Sequence, residues 1–270
     1  MFIPAHAWTP HFSVFGAGSG FDSLEECFDE LTPNIRAIKT GLSSDPAMNW
    51  RLSSLENMTL VSNSDAHSPA KIAREANIFS TDLSYKAIKN AITEGNKDKF
   101  LGTIEFFPEE GKYHFDGHRT CKARMSPKDT KENNHLCPIC QKKVTVGVMH
   151  RVELLADREE GFKPENSPPY RCLIPLAEII SEAIGVGVNS KAVTREYMKL
   201  VRALGNELKI LQDADIEKIN AVSSFKIGLG IERVRKGNIS INLGYDGEYG
   251  TIKVFGTDEK IEEEPQMSLF

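Results

Sequence analysis

Apolar and polar positions follow different rhythms in successive parts of the chain. Up to residue 107, short apolar runs at 35–38 and 58–62 (MTLVS) read as buried strands. Residues 23–31 and 84–93 instead space their apolar side chains as one face of a helix. Glycine and serine gather at the joints, at 16–20 and 41–44, so this part predicts a β/α arrangement. Between 111 and 150 the apolar periodicity fades. A polar, proline-rich stretch at 159–169 (EEGFKPENSPP) predicts a linker or long loop. Helical spacing then returns at Leu176–Ile184 and Lys191–Leu204, with Asn189 or Ser190 as the cap of the second helix and Tyr197, Leu200, Val201 and Leu204 on one face. Residues 213–222 predict another short helix. Runs at 239–243 and 251–255 alternate as strands around GYDGEYG, where Asp246-Gly247 has the composition of a hairpin turn.

Charge sharpens this division. The 270-residue chain carries a net charge of -5, yet the stretch 111–150 holds eight basic side chains against three acidic ones. An acidic protein with one basic island is a poor polyelectrolyte overall and a reasonable local one. No apolar run approaches the roughly 18–20 residues that cross a bilayer, so a membrane partner is not expected. The N-terminal MFIPAHAWTPHF lacks the basic start and cleavage site of a secretory signal, which predicts a cytoplasmic protein. In a reducing compartment its five cysteines point to metal or redox chemistry before disulfides.

The strongest motif is His118-x2-Cys121, fifteen intervening residues, then Cys137-x2-Cys140. Two knuckles at that spacing are what a structural Zn2+ needs to close a tetrahedron of thiolates and imidazole. His114 and His135 compete with His118 for the fourth place. A basic segment with so little apolar periodicity needs the metal to hold a shape. The surrounding Arg119, Lys122, Arg124, Lys142 and Lys143 predict a surface for a phosphate backbone. Cys27 and Cys172 stand alone and read as core. Gly185-Val186-Gly187 has neither GxGxxG nor a Walker lysine, so nothing predicts an ATPase.

A second constellation joins PAHAWTPH, near the start, to NSDAHSP at 63–69. Asp65 and His67 are two residues apart just beyond the strand predicted at 58–62, where β/α folds place reacting groups. Carboxylate and imidazole together suit zinc, manganese or iron.

The stretches FIPAHAWTPHFSVFG, KTGLSSDP, NWRL and SNSDAHSPAKIAREAN resemble the later part of the polymerase-and-histidinol-phosphatase (PHP) superfamily of metal-dependent phosphoesterases. Within it they are most similar to the endonuclease Q family, which nicks DNA beside deaminated bases. The likeness continues through YHFDGHRTC, CPIC, TVGVMHRVELLADR and GYDGEYG. It implies an α/β fold: an incomplete PHP-type β/α barrel over 1–107, a zinc-binding basic module over 108–158, an α+β domain of helices and a hairpin over 159–256, and an acidic tail over 257–270. It further implies that His6, Asp65 and His67 are catalytic metal ligands for Zn2+, Mn2+ or Mg2+, with Lys71 and Arg74 as phosphate contacts. The family's leading His-x-His motif is not in this sequence, so the resemblance implies an N-terminally truncated catalytic domain. Lys39 stands where the family commonly has an acidic residue before TGLSSDP. Asp258, Glu259, Glu262, Glu263 and Glu264 precede Gln266, Met267, Ser268, Leu269 and Phe270, a peptide similar to the motif that docks on DNA sliding clamps. The implied function is metal-dependent hydrolysis 5′ to deaminated bases or abasic sites in DNA. The alternatives are a non-catalytic module that binds DNA and a sliding clamp, and a small-molecule phosphoesterase.

Overall fold

A computed structural model describes residues 1–18 and 20–256. The peptide 266–270, with its expected clamp-binding role, lies outside the described residues. The described residues fold into two compact units, one of residues 1–172 with 242–251, the other of 173–241 with 252–256. Among the described residues no helix is long and apolar enough to cross a membrane.

The first unit is mixed α/β. Helix α1 (Leu24–Phe28) is capped by Ser23, whose hydroxyl accepts from the Glu26 N–H, and gives way to 3₁₀ turns that contain Pro33. The helix expected over 23–31 is therefore shorter. Strand β1 (Ala37–Lys39) pairs in parallel with β2 (Thr59–Val61), across the short helix α2 (Pro46–Trp50). Strand β3 (Ala76–Phe79) leads through α3 (Tyr85–Glu94) to β4 (Phe100–Glu105), its antiparallel neighbour. Ser84 caps α3, and Gly95 ends it at φ 60°, a conformation that favours glycine. A small ribbon, β5 (Asp116–His118) with β6 (Ala123–Met125), is followed by α4 (Pro127–Glu132) and α5 (Val148–Leu155). Directly after the linker expected at 159–169 comes β7 (Tyr170–Cys172), which adds in parallel to β4. Among the described residues these strands form separate short sheets and no closed barrel. Trp8 and Phe15, with ring centroids 4.8 Å apart, centre an apolar core that includes Ile38, Leu52, Val148 and Val152. The Trp8 indole N–H donates to Asn49 Oδ1 at 2.8 Å, so the buried ring keeps no idle donor.

The second unit is helical: α6 (Leu176–Ile184), α7 (Lys191–Leu204), α8 (Glu207–Gln212), α9 (Ile216–Val222) and α10 (Phe225–Lys236). The N-cap of α7 is Ser190. Of the face expected on α7, Leu200 is fully buried, while the Tyr197 hydroxyl donates to Glu207 at 2.8 Å. The strands on either side of GYDGEYG form at β8 (Ser240–Asn242) and β9 (Thr251–Lys253), which pair.

Candidate functional site

All the site residues expected from the sequence within the described residues belong to the first unit. The zinc motif comes together from two turns of the same design. His118 closes β5, one 3₁₀ turn brings round Cys121, and Lys122 follows at φ 52°. Cys137 and Cys140 bracket a second tight turn, closed by the Gln141 N–H donating to the Cys137 carbonyl at 2.8 Å, and Gln141 has φ 60°. Each ligand-x2-ligand turn thus ends on a left-handed residue. One ligand atom from each of His118, Cys121, Cys137 and Cys140 lies within 4.8 Å of the other three, and Cys140 Sγ is 3.5 Å from His118 Nδ1. A donor set of three thiols and one imidazole at that spacing fits a tetrahedral Zn2+.

The competitors for the fourth place are occupied elsewhere. His114 is buried and stacked on Phe115, its ring planes 4° apart, and His135 packs against His150. His150 is itself held by Asp116, Nδ1 to Oδ2 at 2.6 Å. Burial pushes the Cys137 thiol up, but the backbone N–H groups of Cys140 and Ile139, together with hydrogen bonds from the Cys140 and Cys121 thiols, bring it down to about 7. Hydrogen bonding to Cys140 pushes Cys121 up to about 11. Backbone donors aimed at a ligand sulfur favour its thiolate form and hold it in place for a metal.

The module has almost no core of its own: Ala123, Met125, Cys137 and Val144, with Cys121 and Cys140 packed against them. A loop that sequence reasoning read only as a hairpin turn supplies the rest of its support. Gly244 and Gly250 donate to the Glu109 and Glu110 carbonyls, at 2.8 and 3.0 Å, and Gly247 to the Lys112 carbonyl at 2.7 Å. The Asp246 carboxylate accepts from the Arg119 N–H and the Thr145 hydroxyl, each at 2.5 Å. The only signal for this role was the density of glycine in GYDGEYG. A Cβ at Gly244 would lie 2.3 Å from the Gly111 carbonyl oxygen.

The basic residues of the module divide into two groups. Lys122, Lys142 and Lys143 are exposed. Arg124 is also exposed, but its guanidinium is engaged with Asn242 and with the Leu243 carbonyl, so part of its role is internal. Beside the module runs a cleft of about 790 Å³, lined in part by Asp45, Arg51, Glu109, His114, Lys128 and Lys131. No sequence pattern marked it.

The second constellation forms at the carboxyl ends of β1 and β2. The Lys39 N–H donates to the Pro4 carbonyl at 2.9 Å, which fixes the entry of the loop bearing His6. His6 has φ 52° and Asp65 φ 48°, unusual for residues with side chains. His6 Nε2 lies 3.4 Å from Asp65 Oδ2 and 3.5 Å from Lys39 Nζ. Burial, followed by the Lys39 charge, lowers the His6 pKa against the opposing pull of Asp65. His67 is exposed and does not join them in a group of ligand spacing. Lys71 is exposed, and the Arg74 guanidinium lies over the Phe106 ring at 3.9 Å. Below this surface are Glu75 and Glu105, which sequence reasoning did not single out. Thr40 donates to Glu105 Oε2 at 3.0 Å; Glu105 Oε1 and both Glu75 oxygens are buried without a hydrogen-bond partner. Burial raises Glu75 to about 7 and Glu105 to about 8. The zinc donor set therefore fits its ion. The His6, Asp65 and His67 set does not: two of the three converge, and a lysine ammonium stands beside them.

Residues 175–238 match the family model for the MJ0043 C-terminal domain. The chain is 35% identical over 255 residues to the uncharacterized protein MJ0043 of Methanocaldococcus jannaschii, covering 92% of this chain and 31% of that one. It is 33% identical to the uncharacterized protein YqxK of Bacillus subtilis, covering 94% of this chain and 61% of that one. Among solved structures it is similar to the lesion-specific endonuclease PfuEndoQ of Pyrococcus furiosus, with a TM-score of 0.84 and 33% identity, over 93% of this chain and 62% of that one. It is also similar to endonuclease Q bound to a 27-mer duplex with an abasic lesion at the active site, with a TM-score of 0.82 and 32% identity, over 96% of this chain and 65% of that one. The chain thus spans less than two thirds of each of these relatives. Over the part they share, in sequence and in fold, it is a homologue of endonuclease Q.

Proposed function

We propose that the chain works in the repair of damaged DNA in the manner of endonuclease Q. It engages duplex DNA at deaminated bases or abasic sites, with the exposed lysines of the zinc module along the phosphate backbone. The observation that carries this reading is the TM-score of 0.84 at 33% identity to a lesion-specific endonuclease. The abasic duplex in the second related structure supports it. Zn2+ at His118, Cys121, Cys137 and Cys140 would fix the positions of Lys122, Lys142 and Lys143 rather than do chemistry. Damaged nucleotides must leave the stack before their distinguishing edges can be read, and abasic or mispaired sites leave it most easily.

Hydrolysis of the phosphodiester 5′ to the lesion is the reaction this reading assigns to the assembled site. It requires metal ligands beyond His6, Asp65 and His67. The test is fluorescence anisotropy with matched duplexes that contain uracil, hypoxanthine, an abasic site or no lesion, each followed by a nicking assay with added Mn2+, Mg2+ or Zn2+. Tighter binding to any lesion duplex supports the reading; equal binding to all four overturns it. Lesion binding without nicking favours a binding module, the reading suggested by the Lys39 ammonium beside His6. In either case we propose that Gln266, Met267, Leu269 and Phe270 dock on a sliding clamp. Deleting residues 266–270 would then abolish clamp capture and leave DNA affinity unchanged.

A further inference from the structure

We propose that Lys39 is the resident cation of the His6–Asp65 site, its ammonium held where a divalent ion would otherwise be needed, so that this pair takes up no metal. Several independent features of the local structure converge on this.

The first is the ring geometry of His6. Gly41, at φ 67°, lies against the imidazole so closely that a Cβ there would be 2.9 Å from Nδ1. The Gly41 backbone lies close to the Nδ1 side of the ring, and Nε2 is the nitrogen that meets Lys39 and Asp65. An ammonium has three donors and no lone pair, so in its 3.5 Å contact with His6 Nε2 the lysine donates and the imidazole accepts. That engages the lone pair a metal ion would use.

The second is burial. Lys39 is 7% exposed, and a lysine so enclosed persists only with compensating charge. The compensating carboxylate is Asp65, 3.4 Å from the His6 Nε2 that Lys39 also contacts, and the largely buried Glu75 is a further acidic neighbour of Lys39. The carboxylates that could neutralise a divalent ion are thus already opposite an ammonium attached to the chain. A second cation entering among them would meet Lys39 at close range.

The third is backbone coupling. The residue bearing the ammonium is joined to the His6 loop on both sides, by its N–H to Pro4 and by the Ala7 N–H to its carbonyl at 3.5 Å. Lys39 and His6 are positioned as one piece. Among the described residues, the cysteine cluster is the only group of three or more His, Cys, Asp or Glu side chains at metal-ligand spacing.

Metal stoichiometry tests this without DNA or turnover, so its failure is separable from failure of the DNA-repair reading. The zinc-loaded chain is dialysed against Mn2+ or Co2+ and analysed by inductively coupled plasma mass spectrometry, with bound Mn2+ followed by electron paramagnetic resonance. The wild-type chain should hold one metal per molecule, at the cysteine cluster, and no second. Lys39→Gln and Lys39→Glu should add a second equivalent, with at least a tenfold gain in Mn2+ affinity that His6→Ala or Asp65→Ala removes. Binding of a second equivalent by the wild-type chain, lost on His6→Ala, overturns the proposal. So does a Lys39→Gln variant that keeps its zinc and its circular dichroism yet gains no affinity. If both Lys39 variants fail to fold, the wild-type stoichiometry alone decides.

Discussion

Two places in one compact unit bring together residues of metal-binding type, and they differ in how their charges are met. At the zinc module four donors converge on a point, backbone N–H groups face a ligand sulfur, and left-handed residues close both turns. At the carboxyl ends of β1 and β2, two donors converge with an ammonium against the imidazole and buried carboxyls nearby. The first presents every donor that a tetrahedral Zn2+ needs. The second is already charge-compensated within the chain. Similar residue types therefore predict opposite responses to metal, and the contrast rests on one lysine and on how many donors share a point.

The largest effect expected from breaking the contrast is at the module. Cys137→Ser, or zinc removal by a strong chelator, should cost most of the metal's contribution to folding, on the order of 10 kcal/mol in small zinc domains at neutral pH. With a core of only Ala123, Met125, Cys137 and Val144, the stretch from His114 to Gly147 depends on zinc and on the hydrogen bonds of the loop 244–250. Zinc content should fall to zero, and amide exchange should accelerate across that stretch while α6, α7 and α10 stay protected. Protection that survives chelation would show that the loop 244–250, not zinc, shapes the module.

A smaller effect is expected from its surface. Lys122, Lys142 and Lys143 are exposed, and each phosphate contact contributes about 0.9 to the slope of log affinity against log salt. Replacing all three with Gln should flatten that slope by roughly 2.7 and weaken DNA binding about a hundredfold at 0.15 M salt. The loss should be the same for damaged and undamaged duplexes, because phosphate contacts carry no base information. An unchanged slope in an anisotropy titration would remove these lysines from the interface.

The other site should show itself through pH. Glu75 and Glu105 are raised to about 7 and about 8, chiefly by burial, from an unfolded value near 4.5. Between those limits the folded chain binds more protons than the unfolded one. Their contribution is therefore whole below about pH 4.5 and is lost as pH rises through 7 and 8. Stability by urea titration should fall by a few kcal/mol between pH 5 and pH 8.5. Glu105→Gln, which keeps the Thr40 contact without an ionisable proton, should flatten much of that decline. A profile that instead rises with pH would mean these carboxyls are ionised against Lys39 and Arg74.

Much of this contrast was legible in the sequence, for identifiable reasons. Covalent spacing encodes a knuckle: His118-x2-Cys121 and Cys137-x2-Cys140 had to form tight turns, and they do. The cap of α7 was readable to within Asn189 or Ser190, because a polar side chain before an apolar-periodic run satisfies a free N–H, and Ser190 fills the place. Helix α10 was missed because Gly228 and Gly230 depress helical propensity. Their purpose is tertiary: a Cβ at Gly228 would lie 1.9 Å from Asn220 Oδ1, and one at Gly230 2.8 Å from Ile179 Cγ2. Strands β3 and β4 were missed because ANIF and FLGTIE are short and interrupted by polar residues, and pairing across α3 makes them strands. The burial of Glu75 and Glu105, the lysine against His6 and the failure of His67 to converge depend on long-range packing, which no local pattern records.

The smallest effect bears on what besides zinc positions the module. Asp246 sits in a two-residue turn with φ 42°, followed by Gly247 at φ 86°, and its carboxylate accepts from Arg119 N and Thr145 Oγ1. The first bond holds the turn between His118 and Cys121, and the second reaches the segment after Cys140. Asp246 therefore braces the two knuckles from outside the metal site. Asp246→Ala should cost about 1–2 kcal/mol, the usual range for charge-assisted hydrogen bonds that are only partly buried. The zinc stoichiometry should stay at one, but zinc should be lost faster to a competing chelator such as 4-(2-pyridylazo)resorcinol. Asp246→Asn, which keeps one acceptor oxygen, should lie between. If zinc leaves both variants at the wild-type rate, the metal alone sets the geometry of the knuckles, and the loop 244–250 follows the module instead of bracing it.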